Sequence, residues 1–404
     1  MPRAHRAHSA TRSSASGAFE VYAAAAPGLE PLVAEELRAL GIASRPDVGG
    51  MSFNGAIETI ARANLWLRTA SRVIVRVASF RAQAFHELER LARAIPWERF
   101  VAAGGPVRFR VTSKKSRLYH TGAIAQRIAE AIEHRQGRAS AIEAAGREDD
   151  DNTVARAQLF VIRAVHDQFT VSADSSGALL HQRGYRKAIA KAPLRETLAA
   201  AILTACDWDR TVPLVDPLCG SGTIPIEAAL LARHLPPGLG RTFAFQSWPE
   251  TDEAVWTRAR DDAMANALPR APARIRGSDR DEGAIAAAQA NAERAGVLRD
   301  IEFAVQPLST LDGRSDRLGY VVTNPPYGVR VGEATKLRDL YARFGQVLRS
   351  KCPGWRLAIV SANARLDAQL RLSLQERLRT RNGGIPVRFL TADVPVAGGG
   401  PTAN

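Results

Sequence analysis

No run of apolar residues in this 404-residue chain approaches the roughly 20 that a membrane-spanning helix needs, so no membrane partner is expected. Cysteine is scarce. Cys206, Cys219 and Cys352 are the three, and they have neither disulfide nor metal-site spacing. No Cys/His constellation accompanies them, so no metal is expected, and reduced thiols suit a cytoplasmic protein. Two phosphate-binding signatures are missing as well. The chain has no Gly-Lys-Ser/Thr P-loop, and its glycine-rich turn does not follow the Gly-x-Gly-x-x-Gly dinucleotide spacing. Residues 1–17 lack acidic residues, an apolar core and a secretory apolar stretch; they read as a disordered basic tail. No internal repeat is evident.

What is there is basic charge. The formal net charge is +14, and arginine far outnumbers lysine. Arginine suits bidentate phosphate recognition, and a balance of this size favours a polyanionic partner. The length implies two or three domains, and 46% hydrophobic content is ordinary for a globular protein.

From Phe19 to about Gly184 strand and helix patterns mix. Phe19–Ala23 is strand-like, Leu29–Leu40 is an amphipathic helix closed by Gly41, Ile57–Leu67 a second helix, and Arg72–Val77 a strand. His86–Ile95 is helical. Val107–Val111 alternates like a half-solvated strand carrying Arg108 and Arg110, and Lys114, Lys115, Arg117, Tyr119 and His120 follow it. A strand, a basic loop and then a helix, Thr121–His134, suit a grip on an RNA backbone; a merely solvated loop is the alternative. Glu148–Asp151 reads as a solvated acidic turn. Ala155–Ala164 and Phe169–Ala173 read as a hairpin. From about Lys187 a doubly wound α/β region begins. Its strands are expected at Leu214–Asp216, Arg274–Ser278, Ile301–Val305, Gly319–Thr323, Leu357–Ser361 and Val387–Ala392, forming a largely parallel sheet.

Two motifs fall at carboxyl ends of these strands, where such sheets bind ligands. The first is Asp216-Pro217-Leu218-Cys219-Gly220-Ser221-Gly222-Thr223. Gly220 and Gly222 permit a sharp turn and close approach to a ligand. An Asp at a strand end suits an ammonium group or ribose hydroxyls, and S-adenosylmethionine has both. Cys219 reads as a small side chain that fits the turn rather than a nucleophile. The second motif is Asn324-Pro325-Pro326-Tyr327, after the apolar Tyr320–Thr323. The Asn324 side-chain oxygen and the Pro325 carbonyl can each accept a hydrogen from an exocyclic amino group. The prolines stiffen the backbone, and Tyr327 offers a stacking face. This suits methylation of a nitrogen on a flat ring. Similar tetrads serve adenine N6 in DNA and glutamine amides in proteins, so the motif alone leaves the substrate open.

Taken together, the chain resembles THUMP-domain RNA methyltransferases, most closely the RlmL-type guanine-N2 enzymes of large-subunit ribosomal RNA. Further stretches carry the likeness: Ala25–Glu30, Leu65–Arg72, Gln182–Arg186 with Ala192–Ala199, Phe245–Trp256, and Arg381-Asn382-Gly383-Gly384. The resemblance implies a Rossmann-like class I methyltransferase domain preceded by an α+β ferredoxin-like and THUMP RNA-binding module. The expected division is a tail (1–17), a ferredoxin-like part (18–78), a THUMP part (79–178), the methyltransferase domain (179–396) and a flexible tail (397–404). By resemblance, Glu196, Thr197, Leu198 and the turn from Asp216 through Cys219, Gly220, Gly222 and Thr223 hold the methionine part of S-adenosylmethionine. Asp279 then binds the ribose, Asn324, Pro325 and Tyr327 hold the base, and Asn324 also contacts the cofactor. Arg108, Arg110, Lys114, Lys115 and Arg117, from the strand and basic loop above, are the residues expected to contact RNA. The implied reaction is N2-methylation of a guanine in 23S ribosomal RNA. Transfer RNA is an alternative substrate, and a non-catalytic ribosome-assembly factor is an alternative of another class. There is one departure. After Ile301–Val305 the family usually has an Asp that contacts the adenine amino group, and here Gln306-Pro307-Leu308 stands. Backbone carbonyls or Gln306 are left to compensate, and a weakened cofactor site is the other outcome.

Overall fold

The computed structural model describes residues 18–144, 157–187, 194–313, 317–327 and 334–396. The expected tails, the acidic run at 148–151 and Ala192-Pro193 lie outside these residues, as does the start of the strand expected from Ala155.

The amino-terminal half is built on one sheet. Its strands are β1 (Phe19–Ala25), β2 (Ser44–Asp47), β3 (Gly50–Gly55), β4 (Ala70–Arg81), β5 (Val107–Lys114), β6 (Ile142–Glu143), β7 (Gln158–Val165) and β8 (Gln168–Asp174). The order across the sheet is β2-β3-β1-β4-β8-β7-β5-β6. Helices α1 (Glu30–Ala39), α2 (Ile57–Trp66), α3 (Phe85–Arg93) and α4 (Thr121–Gln136) accompany it. In α1 the buried face is Leu32, Val33 and Leu37, with Glu30 in the first turn and Arg38 in the last, as the helix dipole favours. The β7–β8 turn is His166-Asp167, both at positive φ, the geometry of a two-residue hairpin. The boundary expected at residue 78 falls inside β4, which pairs with β1 on one side and β8 on the other. The two amino-terminal parts therefore share a sheet.

The carboxyl-terminal half has strands β9 (Leu214–Asp216), β10 (Ile275–Asp279), β11 (Ile301–Val305), β12 (Tyr320–Thr323), β13 (Arg356–Ser361), β14 (Gln375–Asn382) and β15 (Ile385–Asp393). Their order is β11-β10-β9-β12-β13-β15-β14. The first five run parallel, and β15 is antiparallel to both β13 and β14. Helices α5 (Glu196–Ala205), α6 (Thr223–Ala232), α7 (Glu253–Ala265), α8 (Glu282–Arg294), α9 (Ala334–Lys351) and α10 (Ala364–Asp367) complete it. Alternate residues of the strands serve opposite faces. Val322, Ala358 and Val360 join a core with α5, α6 and α8, whereas Val321, Leu357 and Ile359 join one with α9. The strand order reverses between β9 and β12, and that is where an open α/β sheet leaves a crevice for ligand.

The halves are stapled together. The segment between α6 and β10 sends Phe243, Phe245, Trp248, Val255 and Trp256 into the amino-terminal core. Across the seam Arg183 donates to the Arg68 carbonyl at 2.6 Å, and Gly238 N–H donates to the Leu65 carbonyl at 3.0 Å. The first of these joins the Leu65–Arg72 and Gln182–Arg186 stretches directly. Among the described residues no helix is long and apolar enough to cross a membrane.

Candidate active site

Asp216 ends β9, and Asn324 directly follows β12 beside it. Between them Thr323 donates from Oγ1 to Asp216 Oδ1 at 2.6 Å, and Leu218 N–H reaches the same oxygen at 3.2 Å. Asp216 is 2% exposed. Burial pushes its carboxyl up to about 7, the two hydrogen bonds pull against this, and the Asp279 charge adds to the rise. A carboxylate held in this state gains from a cationic or hydroxyl-bearing neighbour.

The glycine-rich turn crosses from β9 to α6. Gly220 and Gly222 have φ of +51° and +83°. A Cβ at Gly222 would stand 2.9 Å from the Ala288 Cβ, so this glycine is demanded by packing as well as by backbone conformation. At Gly220 a Cβ would meet nothing within 4 Å among the described residues. The turn is tied to β10: Cys219 N–H donates to the Ser278 carbonyl at 3.0 Å, and Gly220 N–H to Asp279 Oδ2 at 3.0 Å. Asp279 Oδ1 accepts from Asp281 N–H at 3.1 Å. Asp216, the turn and Asp279 thus form one cluster. Asn291 on α8, which sequence reasoning did not single out, donates to the Ser221 carbonyl at 3.0 Å and steadies the turn. The Cys219 thiol is buried, and burial with the nearby Asp216 and Asp279 charges pushes its pKa well up, so it is a poor nucleophile.

Glu196 opens α5 and joins the cluster through Arg186. Arg186 Nε lies 3.2 Å from Glu196 Oε1, and its Nη2 donates to Thr223 Oγ1 at 2.8 Å. Burial pushes the Glu196 carboxyl up to about 7 against the pull of Arg186. Its Oε2 is buried with no hydrogen-bond partner among the described residues. Thr197 is buried next to it. Leu198, expected at the cofactor, packs into the apolar core with α6, because at that position the helix faces the sheet.

Asn324 Oδ1 is also buried without a hydrogen-bond partner among the described residues. Pro325 is buried, Pro326 exposed and Tyr327 half-buried. The Tyr327 phenol oxygen accepts from Asn382 Nδ2 at 3.0 Å, a partner that local sequence gave no sign of. At the end of β11, Val305 is 50% exposed, and Gln306 N–H donates to the Asp279 carbonyl at 2.8 Å. Pro307 brings no N–H to this edge.

The basic loop belongs to the other half. Lys114, Lys115, Arg117, Tyr119 and His120 are exposed. Asp167 holds the loop in shape by accepting from Arg117 N–H at 2.7 Å. Arg108 corrects the expectation. It is 5% exposed, since β5 is buried from Val107 to Phe109 instead of alternating, and its side chain is not presented to a polyanion. Arg110 is half-buried.

A model of the RMKL-like methyltransferase domain matches residues 183–390. The chain belongs to this methyltransferase family. A model of the RlmL ferredoxin-like domain also matches, over residues 20–74. Among relatives, a ribosomal RNA large subunit methyltransferase K/L of Syntrophotalea carbinolica is 37% identical over 93% of this chain and 54% of its own. The chain thus spans about half the length of that relative. A Bacillus subtilis protein provisionally named an RNA methyltransferase is 34% identical over 92% of this chain and 95% of its own. A protein provisionally described as a methyltransferase and solved with SAH (S-adenosylhomocysteine) superposes with a TM-score of 0.81 at 30% identity, covering 94% of this chain and 99% of that one. A Listeria monocytogenes protein provisionally described as an N6-adenine-specific DNA methylase gives 0.83 at 33% identity, over 94% and 97%. The family's methyl donor is S-adenosylmethionine. The cluster fits it: the unpartnered Glu196 Oε2, the Asp216 and Asp279 carboxylates and the open space before Gly220 match a ligand with an ammonium group and ribose hydroxyls.

Proposed function

We propose that this chain transfers a methyl group from S-adenosylmethionine to N2 of a guanine in 23S ribosomal RNA. The observation that carries the reading is Asn324 Oδ1, a buried acceptor with no partner among the described residues, next to the acidic cluster. Leaving such an atom unpaired costs about 1–3 kcal/mol, which an exocyclic amino group in the site would relieve. The Pro325 carbonyl serves as the second acceptor. With both hydrogens accepted, the nitrogen gains electron density and is held in one orientation, positioning supplies much of the rate, and one of the two protons leaves the nitrogen for solvent once the methyl carbon has parted from sulfur. Tyr327 stacks on the base, which must be unstacked from its own strand to enter. Asp216, Glu196, Thr197 and the turn from Cys219 to Thr223 hold the methionine end of the cofactor, and Asp279 the ribose. When bound, the cofactor supplies a methyl carbon activated by its sulfonium. The amino-terminal module, read as ferredoxin-like and THUMP parts, grips phosphates through Lys114, Lys115 and Arg117, while the pocket chooses the atom.

The relatives named for ribosomal RNA favour that substrate. The Listeria description favours adenine N6 in DNA as a second reading, and an amino group held at Asn324 serves either ring. The deciding experiment is transfer of labelled methyl to large-subunit RNA from a strain lacking this protein, with nucleoside analysis. We expect N2-methylguanosine with wild type and a loss of about 10²-fold in kcat for Asn324→Ala. Methylated adenosine would move the substrate to the second reading. No incorporation into ribosomal RNA, ribosomal precursors, tRNA or DNA by protein that binds S-adenosylmethionine would leave the non-catalytic assembly reading standing.

A further inference from the structure

We propose that Asn382 is a positioning residue that fixes where the Tyr327 ring lies and which way its long axis points. The inference rests on the reading above, in which that ring stacks on the target base.

β14 is the edge strand, and β13 and β15 separate it from β12. Because β15 is antiparallel to both β13 and β14, β14 runs in the direction of β12, and its carboxyl end opens on the side of the crevice. Asn382 is the last residue of β14 and is 8% exposed. It pairs with Ile385 across a tight turn in which Gly383 takes φ of +59° and Arg381 Nη2 donates to the Gly384 carbonyl at 2.8 Å. A Cβ at Gly383 or Gly384 would meet nothing within 4 Å among the described residues, so the tip stands clear.

Asn before Gly is often chosen because it tolerates positive φ. That does not explain Asn382, which is absent from the residues with positive φ. What the side chain does is donate from Nδ2 to the Tyr327 phenol oxygen at 3.0 Å, across 55 residues of chain. Stacking asks only for a ring, and phenylalanine would supply one. The hydroxyl of Tyr327 is accounted for by this tether. A ring anchored at its Cβ and again at its far tip has its long axis held in one direction. An untethered ring in the same loop would sample several, and reacting groups lose rate steeply when misplaced. The sheet edge thereby reaches back to the loop after β12 and fixes the platform on which the base lies.

The test is a double-mutant cycle on methyl transfer to the same RNA, with S-adenosylmethionine affinity and far-UV circular dichroism measured alongside. Asn382→Leu removes the donor, and Tyr327→Phe breaks the same bond from the other side without touching the edge hairpin. Each should lower kcat about tenfold, with cofactor affinity unchanged, and the double variant should be no worse than either single one. Asn382→Asp, whose carboxylate can accept the phenol's own hydrogen, should recover most of the turnover. Losses that multiply in the double variant would overturn the tether and make Asn382 merely a support of the hairpin. Wild-type turnover for Asn382→Leu, with Tyr327→Ala inactive, would overturn it while leaving the base-holding reading intact. Wild-type turnover for Tyr327→Ala would bring down that reading and the inference with it.

Discussion

Asp216 shows what burial costs a carboxylate in the candidate site. Its carboxyl, ordinarily near 3.8, is pushed up to about 7 by burial. A carboxyl with a raised folded pKa stabilises the fold most when protonated. That contribution is fully present below about pH 4 and is lost as pH rises through about 7. Without cofactor, Asp216→Asn should therefore melt progressively higher than wild type as pH is raised from 5 to 8, and it should bind S-adenosylmethionine at least about tenfold more weakly, a factor equal to one pKa unit of differential interaction. Calorimetric melts at three pH values and an affinity titration check both halves; a melting difference that ignores pH would sink the argument. At this scale the sequence was legible wherever chemistry is written in contiguous residues. Asp216, Gly220, Gly222 and Asn324 stand out as motifs. Asn291 drew no notice, and Asn382 stood within the Arg381–Gly384 stretch without a role, because their partners, Ser221 and Tyr327, are brought to them by helix packing and sheet order. Arg108 was misread because its strand is buried from Val107 to Phe109 instead of half-solvated.

Elements decide how the site is aimed. The segment between α6 and β10 leaves the methyltransferase sheet and docks on the other half. Phe245 N–H donates to the Ser175 carbonyl at 3.1 Å, Trp248 Nε1 donates to Gln158 Oε1 at 2.8 Å, and Trp248 meets the Phe100 ring edge-on at 5.0 Å. Trp248→Ala should cost about 3–5 kcal/mol, the usual range for a large buried aromatic. Because the lost contacts join the two halves, the denaturation curve should also split into two steps. A single transition of unchanged midpoint would show that Trp248 is not a staple. Most strands were legible because apolar residues mark both faces of a covered sheet. β14 was not, since Gln375–Asn382 is rich in charge and only Thr380 and Asn382 in it are buried. An edge strand like this follows its neighbour's hydrogen bonds rather than its own hydrophobicity. β2 escaped notice for the same reason and carries Pro46 besides.

For the whole molecule, the proposed RNA substrate would need cations to bind it while the pocket picks an atom. The net charge of +14 supplies a field, but many arginines are spent internally: Arg68, Arg72 and Arg183 are buried in the seam between the halves or beside it. The loop after β5 is different. Asp167 accepts from its backbone, so Lys114, Lys115 and Arg117 remain exposed on a fixed frame with Tyr119 beside them. If these three cations neutralise phosphates, each releases counterions, and affinity falls with salt by about 0.7 in log–log slope per phosphate on single-stranded RNA. Replacing all three with alanine should flatten the slope by about 2 and weaken binding at low salt much more than at high salt. The affinity for S-adenosylmethionine should stay unchanged, since the Asp216 cluster belongs to the other half. RNA affinity measured across a salt series separates this from a general loss of charge. An equal number of alanine replacements at exposed arginines of the carboxyl-terminal half, such as Arg258, Arg280 and Arg338, should leave the slope nearly intact. Equal flattening by both sets would mean that the protein's overall field, and not this loop, holds the RNA.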